Sequence, residues 1–390
     1  MNGPVTLLRN HVSRDSTMGA AVFVRAPGRV NLIGEHTDYN EGFVLPCAID
    51  FATYVAAQSR PDGRIVATAL DMNNTTISFQ IERGYQCDPS APWSNYVRAV
   101  TQVLVDRGYA IHGASLAITG DIPQGSGLSS SASLCVAITK ALDYLFTLQL
   151  SALEIAQIAQ VAENEYVGCH CGIMDQVASV MGLESKAVLL DCRSLSVTPI
   201  QIPSEIGIAI VHSGITRGLV GTEYNMRRSS CVRASLTMGV STLRDASLSQ
   251  LNAYKAKLDE CAYKCARHVI TENSRVLAFV DALKIDARSE LAKIMKASHN
   301  SMRDDFEITT PAIDLLVELI QIALGPECGV RMTGGGFGGC VVAFGDKTTL
   351  INQIPNVLSE YQRHTQLRPN LYLCTPQAGA SLLDTARVAI

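Results

Sequence analysis

This sequence is organised around the stretch Pro123-Gln124-Gly125-Ser126-Gly127-Leu128-Ser129-Ser130-Ser131-Ala132-Ser133. Its glycines allow the backbone to turn tightly and to approach a ligand without a Cβ atom in the way. The serines that follow are typical of the first turn of a helix. Free N–H groups and the positive end of the helix dipole meet at such a start, so the stretch predicts a cradle for an anion. A nucleotide triphosphate is the first candidate.

The residues after this loop predict a helix with one buried face, because apolar side chains recur there at helical spacing, at Leu134, Ile138, Leu142 and Leu145. A plain surface turn is the alternative interpretation of any glycine–serine cluster. The loop lacks the lysine-containing pattern of P-loop proteins, and the chain lacks the set of motifs that marks protein kinases. Phosphoryl chemistry here would therefore use another scaffold.

The composition indicates a protein with a large core and a small-molecule ligand. The 390 residues are 47% hydrophobic and 17% charged, which suits a chain of two lobes. The formal net charge of −4 provides no general attraction for nucleic acid or for an anionic membrane. No apolar run resembles a signal peptide or a membrane span, so we expect a cytoplasmic protein.

The 12 cysteines are predicted to be reduced thiols. They are scattered, apart from the group Cys169-His170-Cys171 and the pair Cys261 and Cys265. A zinc site would need a second close pair of ligands, which this sequence does not offer beside Cys169. A metal at that group is therefore the weaker interpretation.

A polar segment with glycines follows the first predicted strand, residues 22–26. It reads Pro27-Gly28-Arg29-Val30-Asn31-Leu32-Ile33-Gly34-Glu35-His36-Thr37-Asp38-Tyr39-Asn40. Glu35 and Asp38 can accept hydrogen bonds from hydroxyl groups, His36 can donate or accept, and Arg29 supplies a permanent positive charge. A solvated loop is the alternative, but the apolar residues interleaved with these polar groups favour a binding site for a polyol.

Strands and helices are predicted along the rest of the chain. The pattern over residues 43–79 indicates an antiparallel, β-rich lobe. Further strands are predicted at 114–119, 186–191, 207–212 and 371–374, and helices at 94–107, 151–166, 258–282, 289–306, 310–324 and 347–361. Trp93 and Tyr96, at the start of the first of these helices, could line a slot for a base, although such a pair is more often part of a core.

Two carboxylates stand out as candidates for chemistry. Glu163, near the end of the predicted helix 151–166, could bind Mg²⁺ together with Ser131, because Mg²⁺ held by nucleotide phosphates needs only one or two protein oxygens. A solvated glutamate is the alternative. Asp175 lies in an otherwise apolar run and requires a partner, such as an arginine. A carboxylate in that position can also orient or deprotonate an attacking hydroxyl.

A second glycine cluster lies between two apolar strand candidates in the segment 330–342. It contains five glycines within the six positions 334–339. Because glycine weakens strands, the cluster favours close approach of the backbone to a ligand over a flexible hairpin. The chain shows no internal repeat or long linker, so we expect one integrated unit with the ligand cleft between its lobes.

Together these segments resemble the galactokinases, within the GHMP superfamily of small-molecule kinases, over most of the chain. Residues 28–39 are similar to the galactokinase signature, residues 123–133 to the ATP loop of the family and residues 333–340 to its third glycine motif. The resemblance implies an α+β, two-lobed GHMP kinase fold. A mixed sheet with helices is expected in an N-terminal lobe, residues 22–200, and an antiparallel sheet flanked by helices in a C-terminal lobe, residues 201–390. Residues 1–21 are expected to be a poorly ordered extension.

The resemblance also implies an activity, the transfer of the γ-phosphate of ATP to the C1 hydroxyl of α-D-galactose with the help of Mg²⁺. Asp175 would be the catalytic base, and Arg29 would keep it ionised and stabilise the charge that develops on the phosphoryl group. The implied sugar ligands are Glu35, His36, Thr37, Asp38, Gly172, Asp175 and Tyr224. The implied ATP ligands are Gly125, Ser126, Gly127, Leu128, Ser129, Ser130 and Ser131, with Trp93 and Tyr96 near the adenine, and the implied magnesium ligands are Ser131 and Glu163.

Two alternatives to galactose phosphorylation stay open in the sequence. A kinase for a related sugar, such as N-acetylgalactosamine or arabinose, would differ in the shape of its pocket, which a sequence does not display. A galactose and ATP sensor without turnover would typically have a damaged serine loop, and residues 127–133 are intact here. A monomer that binds only small molecules is expected.

Overall fold

The computed structural model describes residues 3–12, 18–81, 85–123, 125–215 and 220–384, and of residues 220–222 it describes the backbone alone. Parts of the predicted extension, Gln124 of the phosphate loop and the end of the predicted C-terminal lobe therefore lie outside the described residues. Within the described part, no helix has the length and apolar character needed to cross a membrane.

The described residues form strands and helices along the whole of their length. The strands are β1 (Val22–Asn31), β2 (Phe43–Val44), β3 (Pro46–Arg60), β4 (Arg64–Ala69), β5 (Thr75–Gln80), β6 (Gly113–Gly120), β7 (Lys186–Asp191), β8 (Ser196–Gln201), β9 (Ile206–His212), β10 (Gly329–Thr333), β11 (Cys340–Asp346), β12 (Asn370–Cys374) and β13 (Ser381–Leu382). The helices are α1 (Pro4–His11), α2 (Ser94–Asp106), α3 (Ser130–Phe146), α4 (Ala152–Val161), α5 (Met174–Met181), α6 (Val220–Met238), α7 (Leu248–Ala253), α8 (Glu260–Lys284), α9 (Arg288–Asp304), α10 (Pro311–Leu324) and α11 (Lys347–Thr365).

The N-terminal lobe is built on a mixed sheet with the strand order β13-β1-β3-β6-β4-β5. Strands β4 and β6 run parallel, and the other neighbours run antiparallel. Helix α3 packs on β1 and β3, and its apolar face joins those of α2, α4 and α5 in one core. The helix predicted after the phosphate loop is therefore confirmed, with its stripe of apolar residues turned towards the sheet.

The C-terminal lobe contains an antiparallel sheet with the strand order β10-β11-β9-β12. Helices α9, α10 and α11 pack against it. Helix α10 begins where the sequence signals it, because the Thr310 side chain accepts a hydrogen bond from the N–H of Ile313 and Pro311 occupies the first turn. The α+β class with one mixed and one antiparallel sheet is thus confirmed. A third sheet, with the order β2-β7-β8, was not predicted.

The two lobes share an apolar core and a strand. Val30 and Leu45 from the N-terminal side pack in one cluster with Ile208, Phe279 and Phe344 from the C-terminal side. After β12 the chain returns to the first lobe, where β13 pairs with β1. The predicted boundary at residue 200 lies at the end of β8, but the two lobes are not independent pieces of chain.

The prediction of a poorly ordered extension is wrong for α1. This helix begins at Pro4 and packs against β3 and β6. Its Leu8 is fully buried beside Phe23, Ala56 and Ala117. Only one residue of the helix is buried, so the amphipathic signal was too weak to be recognised in the sequence.

Leu8→Ala tests whether α1 contributes to stability. We expect a loss of about 2–4 kcal/mol in the free energy of unfolding, because the substitution leaves a cavity against the sheet. Leu7 is 43% exposed, so Leu7→Ala is the matched control, with an expected change of about 0.5 kcal/mol or less. Urea unfolding followed by fluorescence measures both, and equal effects of the two variants would show that the helix does not dock in solution.

Candidate active site

The predicted polyol loop lies at the end of β1, where the two lobes meet. Asn40 Nδ2 donates to the His36 carbonyl at 2.9 Å. The Thr37 hydroxyl lies 2.9 Å from the Gly34 carbonyl and 2.7 Å from the Phe43 carbonyl. Thr37 is fully buried and uses its hydroxyl inside the loop. Its side chain therefore supports the loop and does not face a ligand, which differs from the implied sugar contact.

Helix α8 of the second lobe also supports the polyol loop. This contact was not predicted from the sequence. His268 Nε2 contacts the Glu35 carbonyl at 3.0 Å, and Glu272 Oε1 accepts from the Gly34 N–H at 3.0 Å. Both side chains are completely buried. A signal was present, because two polar residues four positions apart interrupt an apolar helical face and must find partners there.

The phosphate loop leaves the start of α3 open. Ser129 is the N-cap residue and has a left-handed backbone with φ of 62°. Its hydroxyl does not cap the helix but donates to Asp175 Oδ2 at 2.6 Å. The first N–H groups of α3 are therefore available to an anion, as the sequence predicted.

Two other residues of the loop serve its own structure. Ser126 donates from its hydroxyl to the Pro123 carbonyl at 2.6 Å. Leu128 is buried in the core between the lobes, and its carbonyl accepts from the Arg29 N–H at 3.1 Å. Through these contacts the loop is anchored directly to β1.

Arg29 and Asp175 form a bidentate ion pair within the site. Arg29 Nε donates to Asp175 Oδ1 at 2.8 Å, and Nη2 donates to Oδ2 at 2.9 Å. Arg29 Nη1 also donates to the Gly127 carbonyl at 2.7 Å. Such two-pronged contacts fix the plane of the carboxylate as well as its position. The partner that Asp175 requires is therefore the arginine on β1, which also touches the phosphate loop.

Asp38 lies beside this pair and is surrounded by negative charge. Burial raises the pKa of Asp38 to about 7, and the nearby Asp175 and Glu35 add to the rise. Gly172 lies against its carboxylate, and a Cβ atom at that position would overlap with it. The structure thus brings together Asp38, Gly172 and Asp175, three of the implied sugar ligands.

Among the described residues, the hydrogen-bond and ion-pair partners of Glu35 contact only one of its two carboxylate oxygens. Oε1 accepts from the Gly334 N–H at 2.9 Å and from the Thr333 hydroxyl at 3.1 Å, and lies 3.2 Å from Arg331 Nη2. The second glycine cluster is therefore part of this site. Oε2 is left for a hydroxyl donor.

Aromatic rings close the other side of the loop. His36 has a φ of 61°, and its Nδ1 lies 2.8 Å from the Tyr39 hydroxyl. The rings of Tyr224 and Phe306 lie within 5.0 Å of the His36 ring, centroid to centroid. Tyr224 of α6 thus joins the predicted sugar ligands from the second lobe.

The two predicted metal ligands lie next to each other. Gln176 Nε2 donates to Glu163 Oε2 at 2.5 Å. Burial raises the pKa of Glu163 to about 7, although the nearby Ser131 hydroxyl and Gln176 amide oppose the rise. Helix α4 was predicted to continue to residue 166, but it changes to a π-helical turn over Ala162–Val167, which carries Glu163.

The two residues predicted near the adenine lie on the rim of the N-terminal core. Trp93 precedes α2 and Tyr96 lies in its first turn, and both are partly buried against the core of that lobe. Trp93 Nε1 is buried without a hydrogen-bond partner among the described residues. Tyr96 is close enough to Glu163 for that carboxylate to contribute to the raised pKa of the phenol, after burial itself.

One cavity of about 440 Å³ connects these groups. Its lining includes Arg29, Glu35, His36, Asp38, Gly125, Gly127, Ser129, Ser130, Ser131, Asp175 and Tyr224 from the predicted site. It includes Gly334 and Gly335 from the second glycine cluster, which was predicted to approach a ligand, and residues that were not predicted to belong to the site: Val167, Gly168, Cys169, Cys171, Met174 and Asn225. Residues predicted to bind a sugar and residues predicted to bind phosphates thus line the same cavity.

Family models match three segments of the chain. Residues 15–59 match the galactokinase galactose-binding signature, residues 95–183 match the GHMP kinases N terminal domain, and residues 279–364 match the GHMP kinases C terminal model. The signature match covers the polyol loop, and the N-terminal match covers the phosphate loop, Glu163 and Asp175.

Solved structures resemble the whole chain. The galactokinase of Lactococcus lactis, solved with galactose, shares 33% sequence identity over 93% of this chain and 95% of that one, with a TM-score of 0.88. The mevalonate kinase of Methanococcus jannaschii (18% identity, 92% and 99% coverage, TM-score 0.62) and a D-glycero-D-manno-heptose 1-phosphate kinase from Bacteroides thetaiotaomicron (17% identity, 93% and 99% coverage, TM-score 0.59) share the fold.

Asp38→Asn tests whether the buried charge of Asp38 destabilises the fold. Because the pKa of Asp38 is raised from 3.8 to about 7, the folded protein binds the extra proton more tightly than the unfolded chain. Protonated Asp38 therefore contributes fully to the free energy of unfolding below pH 4, and this contribution is lost as the pH rises to about 7. We expect the variant to gain about 1–2 kcal/mol relative to the wild type between pH 5 and pH 8, less than the full shift implies because the cavity is open to solvent.

Thermal unfolding at a series of pH values measures this gain. Asp62→Asn is the control, because the pKa of Asp62 is lowered to about 2 by hydrogen bonding to Arg60 and does not titrate in this range. A difference between Asp38→Asn and the wild type that stays constant from pH 5 to pH 8 would contradict the assignment.

Proposed function

This chain belongs to the galactokinase family of the GHMP kinases, and we propose that it transfers the γ-phosphoryl group of ATP to the C1 hydroxyl of α-D-galactose, giving α-D-galactose 1-phosphate. Family membership makes it an ATP-dependent sugar kinase. The observation that carries the choice of reacting groups is the contact of Asp175 with Arg29 and Ser129. Through it a single carboxylate lies between the predicted sugar ligands and the start of α3.

Asp175 is the base in this proposal. It faces the same cavity as the phosphate loop, so a sugar hydroxyl that contacts it would be aimed at a phosphate held at the start of α3. Its oxygens already accept from Arg29 and Ser129, which fixes their orientation before the substrate arrives. Phosphoryl transfer depends chiefly on positioning and on electrostatic stabilisation, and a preorganised carboxylate supplies the first.

Arg29 supplies the electrostatic stabilisation. Its guanidinium balances the charge of Asp175, and its contact with the Gly127 carbonyl places it at the phosphate loop. Negative charge that develops on the phosphoryl oxygens during transfer would therefore be opposed by a fixed cation whose position does not depend on the substrate.

The sugar is bound by acceptors and rings from both lobes. Glu35 Oε2 and the Asp38 carboxylate would accept hydrogen bonds from sugar hydroxyls, and His36 and Tyr224 would contact its other side. The implied contacts of Gly172 are those of its backbone, because the Asp38 carboxylate leaves no room for a side chain. Thr37 is assigned to the support of the loop.

Ser131 and Glu163 fit a magnesium ion that is bound with ATP. Glu163 is a buried carboxylate whose hydrogen bonds come from neutral side chains, so a cation beside it would relieve the cost of its ionisation. Among the described residues there is no cluster of three or more metal-ligating side chains. That suits Mg²⁺, which keeps waters and phosphate oxygens as its other ligands. When bound, the ion neutralises charge on the phosphates.

The remaining assignments complete the proposal. The adenine would lie towards Trp93 and Tyr96, where the buried indole N–H of Trp93 has no hydrogen-bond partner among the described residues. Action in the cytoplasm as a monomer stays a prediction. Phosphorylation of a related sugar is an outcome that the substrate test below distinguishes, and so is binding without turnover.

Asp175→Asn tests the base. We expect kcat for galactose phosphorylation to fall by about 10²–10⁴-fold, because the amide cannot accept the hydroxyl proton, while ATP affinity changes little. ADP release with Mg-ATP measures kcat over a panel of galactose, glucose, N-acetylgalactosamine and arabinose. Asp281→Asn, at a side chain 76% exposed on α8, is the matched control.

Near-normal turnover by Asp175→Asn would remove Asp175 from the role of base. Turnover of another sugar by the wild type would retain the site and change the substrate. Binding of galactose and ATP without ADP release would identify a sensor.

Ser131→Ala and Glu163→Gln test the metal ligands. We expect each to raise the Mg²⁺ concentration needed for half-maximal activity by about 10-fold or more, because Ser131→Ala removes an oxygen ligand and Glu163→Gln removes the negative charge of a ligand. Ser204→Ala, on the surface turn before β9, is the control. An unchanged magnesium dependence in both variants would count against this site.

A further inference from the structure

Two thiols lie side by side at the edge of the active-site cavity, and no step of the proposed reaction uses them. Cys169 is exposed, Cys171 is partly buried, and both line the cavity beside Asp175. Only His170 separates the two residues in the sequence, and each thiol is close enough to the other to shift its pKa. Of the 12 cysteines in the sequence, these are the two that line this cavity.

The backbone between the two thiols is short enough for a disulfide. The Cys171 N–H donates to the Cys169 carbonyl at 2.7 Å, which is a three-residue turn. Two residues span about 7 Å when fully extended, and a turn shortens that distance. The Cα atoms are thus close enough for the separation that disulfides allow. A bond between the sulfurs would close a loop of three residues within this turn.

Cys171 is connected to the proposed metal ligand Glu163. Its thiol donates to Asn164 Oδ1 at 3.2 Å and lies 3.6 Å from Gln176 Nε2. The same Gln176 nitrogen donates to Glu163 Oε2. Asn164 also binds the backbone N–H and carbonyl of Cys171, at 3.0 Å in each case. A change at Cys171 is therefore transmitted to the carboxylate that is assigned to Mg²⁺.

We propose that Cys169 and Cys171 are a redox-sensitive thiol pair, and that their oxidation to a disulfide reversibly inhibits phosphoryl transfer. The oxidant is a hydroperoxide. The exposed Cys169 sulfur attacks the peroxide, which gives a sulfenic acid and, from hydrogen peroxide, one water. The Cys171 sulfur then displaces the hydroxyl group as a second water and forms the S–S bond. Two thiols lose two electrons and two protons in total, and a dithiol reverses the change by exchange.

Inhibition follows from the contacts that the disulfide removes. Cys171 loses the S–H that it donates to Asn164, and its sulfur is drawn towards Cys169 and away from Gln176. The contact that holds Gln176, and through it Glu163, is then weakened. Loss of such a supporting contact typically lowers metal affinity or activity by about 10–100-fold. This functional part of the inference rests on the proposed function.

Hydrogen peroxide treatment of the full-length protein tests the proposal. We expect the peptide with both cysteines to lose the mass of two hydrogen atoms, and kcat/KM for galactose phosphorylation to fall by about tenfold or more. Dithiothreitol should restore both. Cys169→Ser, a change at an exposed side chain, should retain activity in reduced buffer and resist the inhibition. Cys87→Ser is the matched control, because Cys87 is another exposed cysteine, remote from the cavity, and it should behave like the wild type.

Separate readouts distinguish failure of this proposal from failure of the proposed function. Absence of the Cys169–Cys171 disulfide in the mass spectrum would overturn the proposal, and so would full activity of the disulfide form. Inhibition that persists in Cys169→Ser would overturn it as well. If the reduced protein does not phosphorylate galactose, the proposed function fails. The redox proposal is then tested by two other measurements. The mass of the peptide shows whether the disulfide forms, and calorimetry shows whether Mg-ATP affinity falls on oxidation and recovers with dithiothreitol.

Discussion

The buried guanidinium of Arg331 determines how the two halves of the site fit together. Arg331 lies on β10 in the second lobe and is completely buried. It donates to the carbonyls of Asn31 and Leu32 at the end of β1, at 3.2 and 2.9 Å, and pairs with Glu35. Removal of one member of such a pair leaves an uncompensated buried charge, which costs about 3–5 kcal/mol. The polyol loop is therefore held at a defined distance from the second glycine cluster, and the cavity between them keeps its width.

Two departures from regular helix geometry place the reacting groups around that cavity. Ser129 takes a left-handed backbone at the start of α3, a conformation that costs a non-glycine residue about 1–2 kcal/mol. In return its hydroxyl reaches Asp175, and the helix start remains open to an anion. At the end of α4, the π-helical turn widens the backbone at Glu163, which lies next to Ser131. Backbone strain is thus concentrated where phosphate and metal would bind.

The sequence predicted the parts of the fold and the site that depend on local pattern. Glycines before serines marked the start of α3, and Asp175 within an apolar run required the arginine that the structure provides. It could not predict features that depend on distant pairing. Strand β2 lies in the stretch predicted to be β-rich, but its partner β7 is more than 140 positions away in the sequence. The support of the loop by His268 and Glu272 joins residues more than 200 positions apart. Thr37 lies between residues predicted to bind the sugar, but its orientation depends on carbonyl groups that only the folded loop brings near.

The balance of charge in the cavity explains why the site needs both of its substrates. Glu35, Asp38 and Asp175 line the cavity and Glu163 lies behind Ser131 at its edge, and Arg29 pairs with Asp175 while Arg331 pairs with Glu35. Asp38 and Glu163 are left without a cation in hydrogen-bond contact, and these are the two whose pKa rises to about 7. A sugar satisfies a lone carboxylate with hydroxyl donors, whereas a metal ion satisfies it with charge. Asp38 lies among the sugar ligands and Glu163 beside the phosphate loop. In the proposed function, the two unmatched carboxylates therefore mark two sides of the site, Asp38 the side assigned to the sugar and Glu163 the side assigned to the metal-bound polyphosphate.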